Sequence, residues 1–231
     1  MAALLYQYEI DREFPDAVML EAKATPQSVE ESAVAGRLDL RDKVVITIDG
    51  ASSKDLDDAV SLERDGLGRW VLGVHIADVS HYVRPGSALD LEAWERGTSV
   101  YFADQVVPML PRELSNGICS LNPRVDRLAL SCVMTLTPEG EVVDHTIAKS
   151  VIRTTERMTY EDCNALLAHS DPALAERYAR ILPMLEDMAA LSRVLEGRRR
   201  RRGALELDTR ESYVVCDESG TPVDVVLRTP G

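Results

Sequence analysis

The sequence predicts a mixed α+β fold: a largely antiparallel sheet with flanking helices. Two observations carry this. Short β-branched runs recur in pairs around hairpin-type turns, and two helical patterns then follow one another with no strand between them.

Residues 1–35 are polar and lightly patterned, contain Pro15 and Pro26, and read as a lead-in segment. Strand signals become dense from Gly36, and residues 36–231 read as one domain without an interior boundary or repeat. Residues 44–48 form a short β-branched run bounded by charge, the pattern of a buried strand. Residues 59–63 and 70–79 are predicted strands on either side of a turn at Asp65-Gly66-Leu67-Gly68. A helix is expected from Ser87, whose hydroxyl can cap it, through Leu91 and Trp94 to about Arg96. Residues 130–137 and 142–152 flank Pro138-Glu139-Gly140, a hairpin signal. Thr159 can cap a short helix over residues 160–168, and Asp171 a longer one with Pro172 in its first turn. The longer helix carries Leu174, Tyr178, Ile181, Leu185, Met188, Leu191 and Leu195 on one stripe, and Pro183 should kink or break it. Residues 213–217 and 222–228 make a second hairpin around Gly220.

The chain of 231 residues is long enough for a sizeable core, and its 45% apolar content is that of an ordinary globular protein. No apolar stretch approaches the length of a membrane span, and Met1-Ala2-Ala3-Leu4-Leu5 lacks a basic flank and a cleavage site. A cytoplasmic protein without membrane contact is expected. Cys119, Cys132, Cys163 and Cys216 are far apart and form no C-x2-C pair, so free, mostly buried thiols are expected. A net charge of −13 argues against a nucleic-acid binder that relies on a broad basic face. It leaves room for a nuclease whose attraction for phosphate comes from bound cations. The one basic block, Arg198 to Arg202, has two readings: a solvated helix end that complements the dipole, or a contact for a polyanion.

Directly behind the run at 44–48, Asp49, Asp55, Asp57 and Asp58 follow the pattern D-x5-D-x-D-D. Taken singly, such aspartates are often turn residues that bond local backbone N–H groups. Four of them converging to about 5 Å would cost roughly 3 kcal/mol per pair at an effective dielectric near 20. Summed over the pairs, that rivals the stability of a whole domain. A divalent cation removes the repulsion, and hard oxygen donors suit Mg²⁺ or Mn²⁺. An EF-hand fits poorly, because the sixth and twelfth places counted from Asp49 hold Lys54 and Val60.

Four segments in order then resemble a known family. They are Val45-Ile46-Thr47-Ile48-Asp49-Gly50, Lys54-Asp55-Leu56-Asp57-Asp58-Ala59-Val60, the stretch from Gly73 to Val83 around His75-Ile76-Ala77-Asp78, and Pro108-Met109-Leu110-Pro111 with the following residues to Pro123. Together with Arg37-Leu38-Asp39-Leu40-Arg41-Asp42, they resemble the RNB-type exoribonucleases, the ribonuclease II and ribonuclease R enzymes. The resemblance implies processive, Mg²⁺-dependent hydrolysis of single-stranded RNA from its 3′ end to 5′-nucleoside monophosphates, a role in RNA degradation. It implies Asp49, Asp55, Asp57 and Asp58 as the metal-binding and catalytic carboxylates. It makes Tyr101 the aromatic that stacks on a base, and places Tyr160 near the terminal nucleotide. Where the family has a stacking phenylalanine, this sequence has Leu207, an aliphatic wedge at best. The family's later glutamate, arginine and further carboxylate find no counterpart, nor do its flanking RNA-binding domains. The chain is therefore expected to be the N-terminal part of an incomplete RNB-like catalytic domain, with little activity alone and a need for the C-terminal half.

His75 and His81 flank Asp78 and are expected to be structural, since a lone strand histidine usually satisfies a local hydrogen bond. Two other functions compete with the exoribonuclease. One is a non-catalytic RNB-like module that binds RNA or protein. The other, a phosphohydrolase of small phosphoesters, lacks a Gly-rich phosphate cradle.

Overall fold

The structure, a computed structural model, describes residues 2–103, 105–205 and 212–227. The segment expected as a lead-in holds three helices, α1 (Ala2–Gln7), α2 (Asp16–Ala24) and α3 (Glu31–Val34). Strands β1 (Leu38–Asp39), β2 (Ile46–Asp49), β3 (Asp58–Arg64) and β4 (Trp70–Ala77) follow. Next come α4 (Val79–Tyr82), α5 (Ala88–Arg96) and the two-residue strands β5 (Val100–Tyr101) and β6 (Val106–Val107). The long strands β7 (Asp126–Leu136) and β8 (Val142–Arg153) lead into β9 (Glu156–Thr159). Then come α6 (Tyr160–Leu167), α7 (Pro172–Arg177), α8 (Leu182–Arg201), β10 (Ser212–Cys216) and β11 (Pro222–Leu227). The mixed α+β class is the one predicted.

The chain divides into two compact units. The larger takes in Ser28–Val79 and Ile118–Leu207. Its sheet has the strand order β1-β8-β7-β4-β3-β2-β9, and only the β1/β8 and β2/β9 pairs are parallel. Residues directly opposite in an antiparallel pair share a face. The register therefore sets Asp58, Val60 and Leu62 on the same face as Ile76, Val74 and Leu72, then Leu130, Cys132 and Met134, then Lys149, Ile147 and His145. Helices α6, α7 and α8 pack on part of this face, where Ile46, Leu62, Trp70, Leu136 and Met158 meet Leu166, Ile181, Leu185 and Leu191. Each such side chain contributes about 1.5–3 kcal/mol by leaving water. A second cluster, Val45, Leu56, Ala59, Leu121, Ala129 and Ile152, supports the site loop described below.

Across the middle of the sheet runs a buried polar ladder. His75 Nε2 lies 3.0 Å from Ser61 Oγ, His75 Nδ1 lies 2.7 Å from Ser131 Oγ, and Ser131 Oγ lies 2.6 Å from Ser150 Oγ. Burial alone pushes the His75 imidazole down to about 4, so it is held neutral. Asp78 is paired with the buried guanidinium of Arg37 at 2.7 Å, and the same guanidinium donates to the Ser150 carbonyl at 3.3 Å. His75 thus has the structural role expected of it, and Asp78 is bound up in an ion pair.

The helix expected after Asp171 is two helices. Asp171 accepts from the Leu174 N–H at 3.0 Å and starts α7, but the chain breaks over residues 178–181 and restarts at α8. Pro183 sits in the first turn of α8, where its missing N–H would have had no intrahelical partner. Strand β9 was not foreseen, because a four-residue stretch holding Glu156 and Arg157 has no alternating pattern. Its pairing with β2 is what makes it a strand.

The smaller unit comprises Met1–Gln27, Ser80–Gly117 and Asp208–Pro230. Here α5 has the boundaries its sequence predicts, with Ser87 Oγ accepting from the Asp90 N–H at 3.2 Å. Glu21 of α2 supplies a second cap, its carboxylate accepting from the Leu89 and Ala88 N–H groups at 3.0 Å each. Those two bonds hold the Glu21 carboxyl below the usual range. Strands β10 and β11 form the antiparallel hairpin expected around Gly220.

Candidate active site

The four aspartates sit on one connection. Asp49 ends β2, Asp58 opens β3, and Asp55 and Asp57 lie on the loop between them. Strands β2 and β3 are registered only at Ile46 and Val60, so beyond that point the two chains diverge and the loop opens between them.

Both halves of the loop are braced. On the first half, Nη2 of Arg157, from β9, donates to the carbonyls of Gly50 (3.2 Å), Ala51 (2.8 Å) and Ser53 (2.8 Å). One guanidinium nitrogen thereby collects three carbonyls that would otherwise splay toward water. On the second half, Ser120 Oγ accepts from the Leu56 N–H at 3.1 Å and donates to the Lys54 carbonyl at 2.9 Å. The Leu121 N–H donates to the Leu56 carbonyl at 2.8 Å, and the Leu56 side chain is fully buried. Leu56 is therefore a plug between Asp55 and Asp57. With its side chain anchored inward, Asp57 and Asp58 are left on the exposed side.

The electrostatics are those of crowded like charges. Partial burial of the Asp57 carboxyl raises its pKa above the ordinary carboxylate value, and Asp55, Asp58 and Asp49 raise it further. The residue as a whole stays exposed, so this burial is local to the carboxyl group. Asp49 is raised by burial first and then by Asp58, with Arg157 opposing. Neither the Asp57 nor the Asp58 side chain has a hydrogen-bond or ion-pair partner among the described residues. The loop thus brings all four predicted carboxylates into electrostatic contact without an internal cation at two of them.

A preformed cage is a stricter condition, and the structure does not meet it. Among the described residues, no three His, Cys, Asp or Glu side chains are grouped closely enough to hold an ion. Four like charges lower their energy by turning apart. The donor chemistry, all oxygen and anionic, suits Mg²⁺ or Mn²⁺, and the uncompensated charge is what such an ion would relieve.

Tyr160 is the first residue of α6 and is 51% exposed. It directly follows Thr159, the residue registered against Asp49 across the β2/β9 pair, so the sheet brings it to the aspartate end of β2. Tyr101 lies in the smaller unit, on β5, 65% exposed and registered against Val106 of β6. Leu207 lies outside the described residues. Sequence reasoning missed the bracing residues Arg157 and Ser120.

Comparison with known proteins places the chain in a family. Residues 37–230 match the RNB domain. The chain is 51% identical over 228 residues to ribonuclease R 1 of Lactococcus lactis, covering 99% of this chain and 28% of that protein. It is 48% identical over 220 residues to ribonuclease R of Thermotoga maritima, covering 95% of this chain and 31% of that protein. Among solved structures, Mycoplasma genitalium RNase R in complex with ribose-methylated single-stranded RNA is similar at a TM-score of 0.90. It shares 31% identity and covers 99% of this chain and 35% of that one. The fold is that of an RNB domain. The chain belongs to the RNB family, and it spans about a third or less of the length of the relatives it matches. No helix among the described residues is long and apolar enough to cross a membrane.

Proposed function

We propose that this chain is the N-terminal part of the catalytic domain of a Mg²⁺-dependent exoribonuclease. In this reading it degrades single-stranded RNA from the 3′ end to 5′-nucleoside monophosphates. The observation that carries the reading is the braced loop on which Asp49 and Asp57 are raised by partial burial and by neighbouring carboxylates, while the Asp57 and Asp58 side chains have no partner among the described residues. Such an arrangement costs stability and offsets that cost only by holding a cation.

Asp49, Asp55, Asp57 and Asp58 would hold the ion. A divalent cation supplies neutralisation of the phosphodiester charge and polarisation of its oxygens. The residues of the chain do the rest. Arg157 and Ser120 keep the carboxylates on one loop, so binding requires side-chain rotation rather than loop closure. Tyr101 presents an exposed ring for base stacking, a contact worth about 1–3 kcal/mol per base that tolerates any sequence. Tyr160 is placed beside the terminal nucleotide, and Leu207 is the aliphatic substitute for a second stacking ring.

The test uses a chimera in which this chain replaces the matched 228 residues of Lactococcus lactis ribonuclease R 1. With Mg²⁺, 5′-labelled single-stranded RNA should shorten from its 3′ end and release 5′-monophosphates. Asp57→Asn should slow this by at least about a hundredfold, the scale of losing several kcal/mol of charge stabilisation. Residues 1–231 alone should release little. An inactive chimera, or robust release by residues 1–231 alone, would contradict the reading.

The absence of a preformed three-ligand group among the described residues favours one second reading, an RNB-like module that binds RNA or protein without cleaving it. Calorimetry with Mn²⁺ separates the two. Heat lost in Asp57→Asn supports the enzyme, and no heat in either protein supports the module.

A further inference from the structure

The sheet face that carries Asp58 is only partly covered. Helix α8 crosses it near Leu62, Trp70 and Leu136, but toward Asp58 the aliphatic residues stay in water: Ile76 and Leu130 at 46% exposure each and Ile147 at 63%. The register places Ile76 of β4 directly opposite Leu130 of β7, with Ile147 of β8 opposite Cys132 and so diagonal to Leu130 on the same face. On the same face a groove of about 810 Å³ opens along α8, lined by Val60, Leu72, Val142, Met188, Leu191 and Leu195. Val60 is two residues from Asp58 on one strand, so the groove and the exposed patch lie on one continuous surface.

One end of the groove is cationic. Arg198, Arg199 and Arg202 line it, at the end of α8. Arg198 pairs with Glu141 at 3.6 Å and donates to the Glu139 carbonyl at 3.5 Å, and the side chains of Arg199 and Arg202 have no hydrogen-bond or ion-pair partner among the described residues. In a chain of net charge −13, three arginines, two of them without a partner among the described residues, thus stand beside an aliphatic floor. A solvated helix end needs no such floor. RNA is poorly matched, because no aromatic ring lines the groove for a base to stack on, and an aliphatic sheet face gives a phosphodiester backbone nothing. A protein segment with an apolar face and acidic residues at one end satisfies both parts.

We infer that this surface is the seat of an acidic, amphipathic segment belonging to the part of the RNB-family chain that these 231 residues do not span. The relatives supply the length: the chain covers 28% of the Lactococcus lactis protein and 31% of the Thermotoga maritima one. The inference rests on the proposal that this chain is part of a larger catalytic domain. It adds which face receives the remainder, and that the Arg198 to Arg202 block is an internal docking contact rather than an RNA contact. The segment would lie along the sheet face next to the aspartates.

The experiment reads burial and not catalysis. Ile147→Cys is introduced into residues 1–231 and into the chimera described above, and modification of the new thiol by N-ethylmaleimide is timed by mass spectrometry. Leu67→Cys, at the exposed β3–β4 turn, serves as the control. The position-147 thiol should react at least about tenfold more slowly in the chimera, as expected when a site becomes accessible only through local opening, with the control unchanged. Replacing Arg198, Arg199 and Arg202 by glutamate in the chimera should return most of that reactivity, and replacing them by lysine should not. If the chimera fails to fold, residues 1–231 co-expressed with the remainder of the Lactococcus lactis protein give the same readout. Equal labelling in every arrangement, or slowing that appears only on adding single-stranded RNA, would overturn the inference. Because no step requires cleavage, an inactive but protected chimera would sink the proposed function and leave this surface standing.

Discussion

Nη2 of Arg157 lies 2.8 Å from the carbonyl oxygen of Ser53, and that bond ties β9 to the loop carrying the aspartates. With its bonds to Gly50 and Ala51, the guanidinium also faces Asp49 and opposes the rise in that carboxyl's pKa. Arg157→Met should therefore loosen the loop and lower stability by about 2–3 kcal/mol, the scale of hydrogen bonds to a charged group. Faster amide exchange confined to residues 50–56 measures the first effect, and urea unfolding measures the second. Exchange unchanged in that segment would show that the loop holds its shape without the arginine.

Leu56 is the other anchor. Leu56→Ala removes a fully buried side chain from between two aspartates and should cost about 2–5 kcal/mol. Calorimetry at a temperature where the variant is still folded should also show weaker Mn²⁺ binding, because Asp55 and Asp57 lose their fixed relation. A variant destabilised but unchanged toward Mn²⁺ would limit Leu56 to packing.

Asp49 and Asp57 ionise at higher pH in the folded chain than in the unfolded one. The folded state then holds more protons in the window above the ordinary value of 3.8, so stability falls as pH rises through that window and stays lower above it. In EDTA, Asp57→Asn should consequently melt higher than the wild type at pH 7, by about 2–4 °C for each kcal/mol of repulsion relieved. Mg²⁺ should raise the melting temperature of the wild type more at pH 7 than at pH 4, and should raise that of the variant less. Equal melting temperatures in EDTA would mean that the carboxylates do not repel.

His75 works in the opposite direction. Its pKa is depressed from 6.5 to about 4, so the unfolded chain takes up the proton first. Stability should fall as pH drops below 6.5 and level off near 4, by up to about 3 kcal/mol at 1.36 kcal/mol per unit. Urea midpoints across this range, compared with those of His75→Gln, isolate the histidine from the carboxylates. The variant should be less stable at pH 7 and show a shallower slope.

Tyr101→Ala in the chimera should weaken binding of single-stranded RNA by about 1–3 kcal/mol, and Tyr101→Phe should retain most of the affinity. Fluorescence anisotropy in Ca²⁺, without turnover, measures both. Equal losses in the two variants would mean that the hydroxyl, not the ring, makes the contact.

Local patterns were legible where chemistry is local. The caps at Ser87, Thr159 and Asp171, the turn at Asp65 to Gly68 and the two hairpins each rest on residues within a few positions of one another. Strand β9 was not legible. It exists because β2 pairs with it in parallel, whereas the helix break foreshadowed by Pro183 falls at residues 178–181, just ahead of that proline. The site divides the same way. The D-x5-D-x-D-D spacing was visible, but Arg157 and Ser120 reach the loop from about 104 and 64 positions away, beyond any local pattern.

By itself, the amino-acid order determined the mixed α+β class, the close spacing of four aspartates behind a strand and membership of the RNB family. These follow from residue type and short spacing, which survive in one dimension. Only the tertiary structure decided that the aspartates repel yet stay braced, that Asp78 is engaged by Arg37, and that the face beside Asp58 is half bare. Those depend on distance and on exposure to water, quantities that exist only once strands far apart in the chain lie side by side.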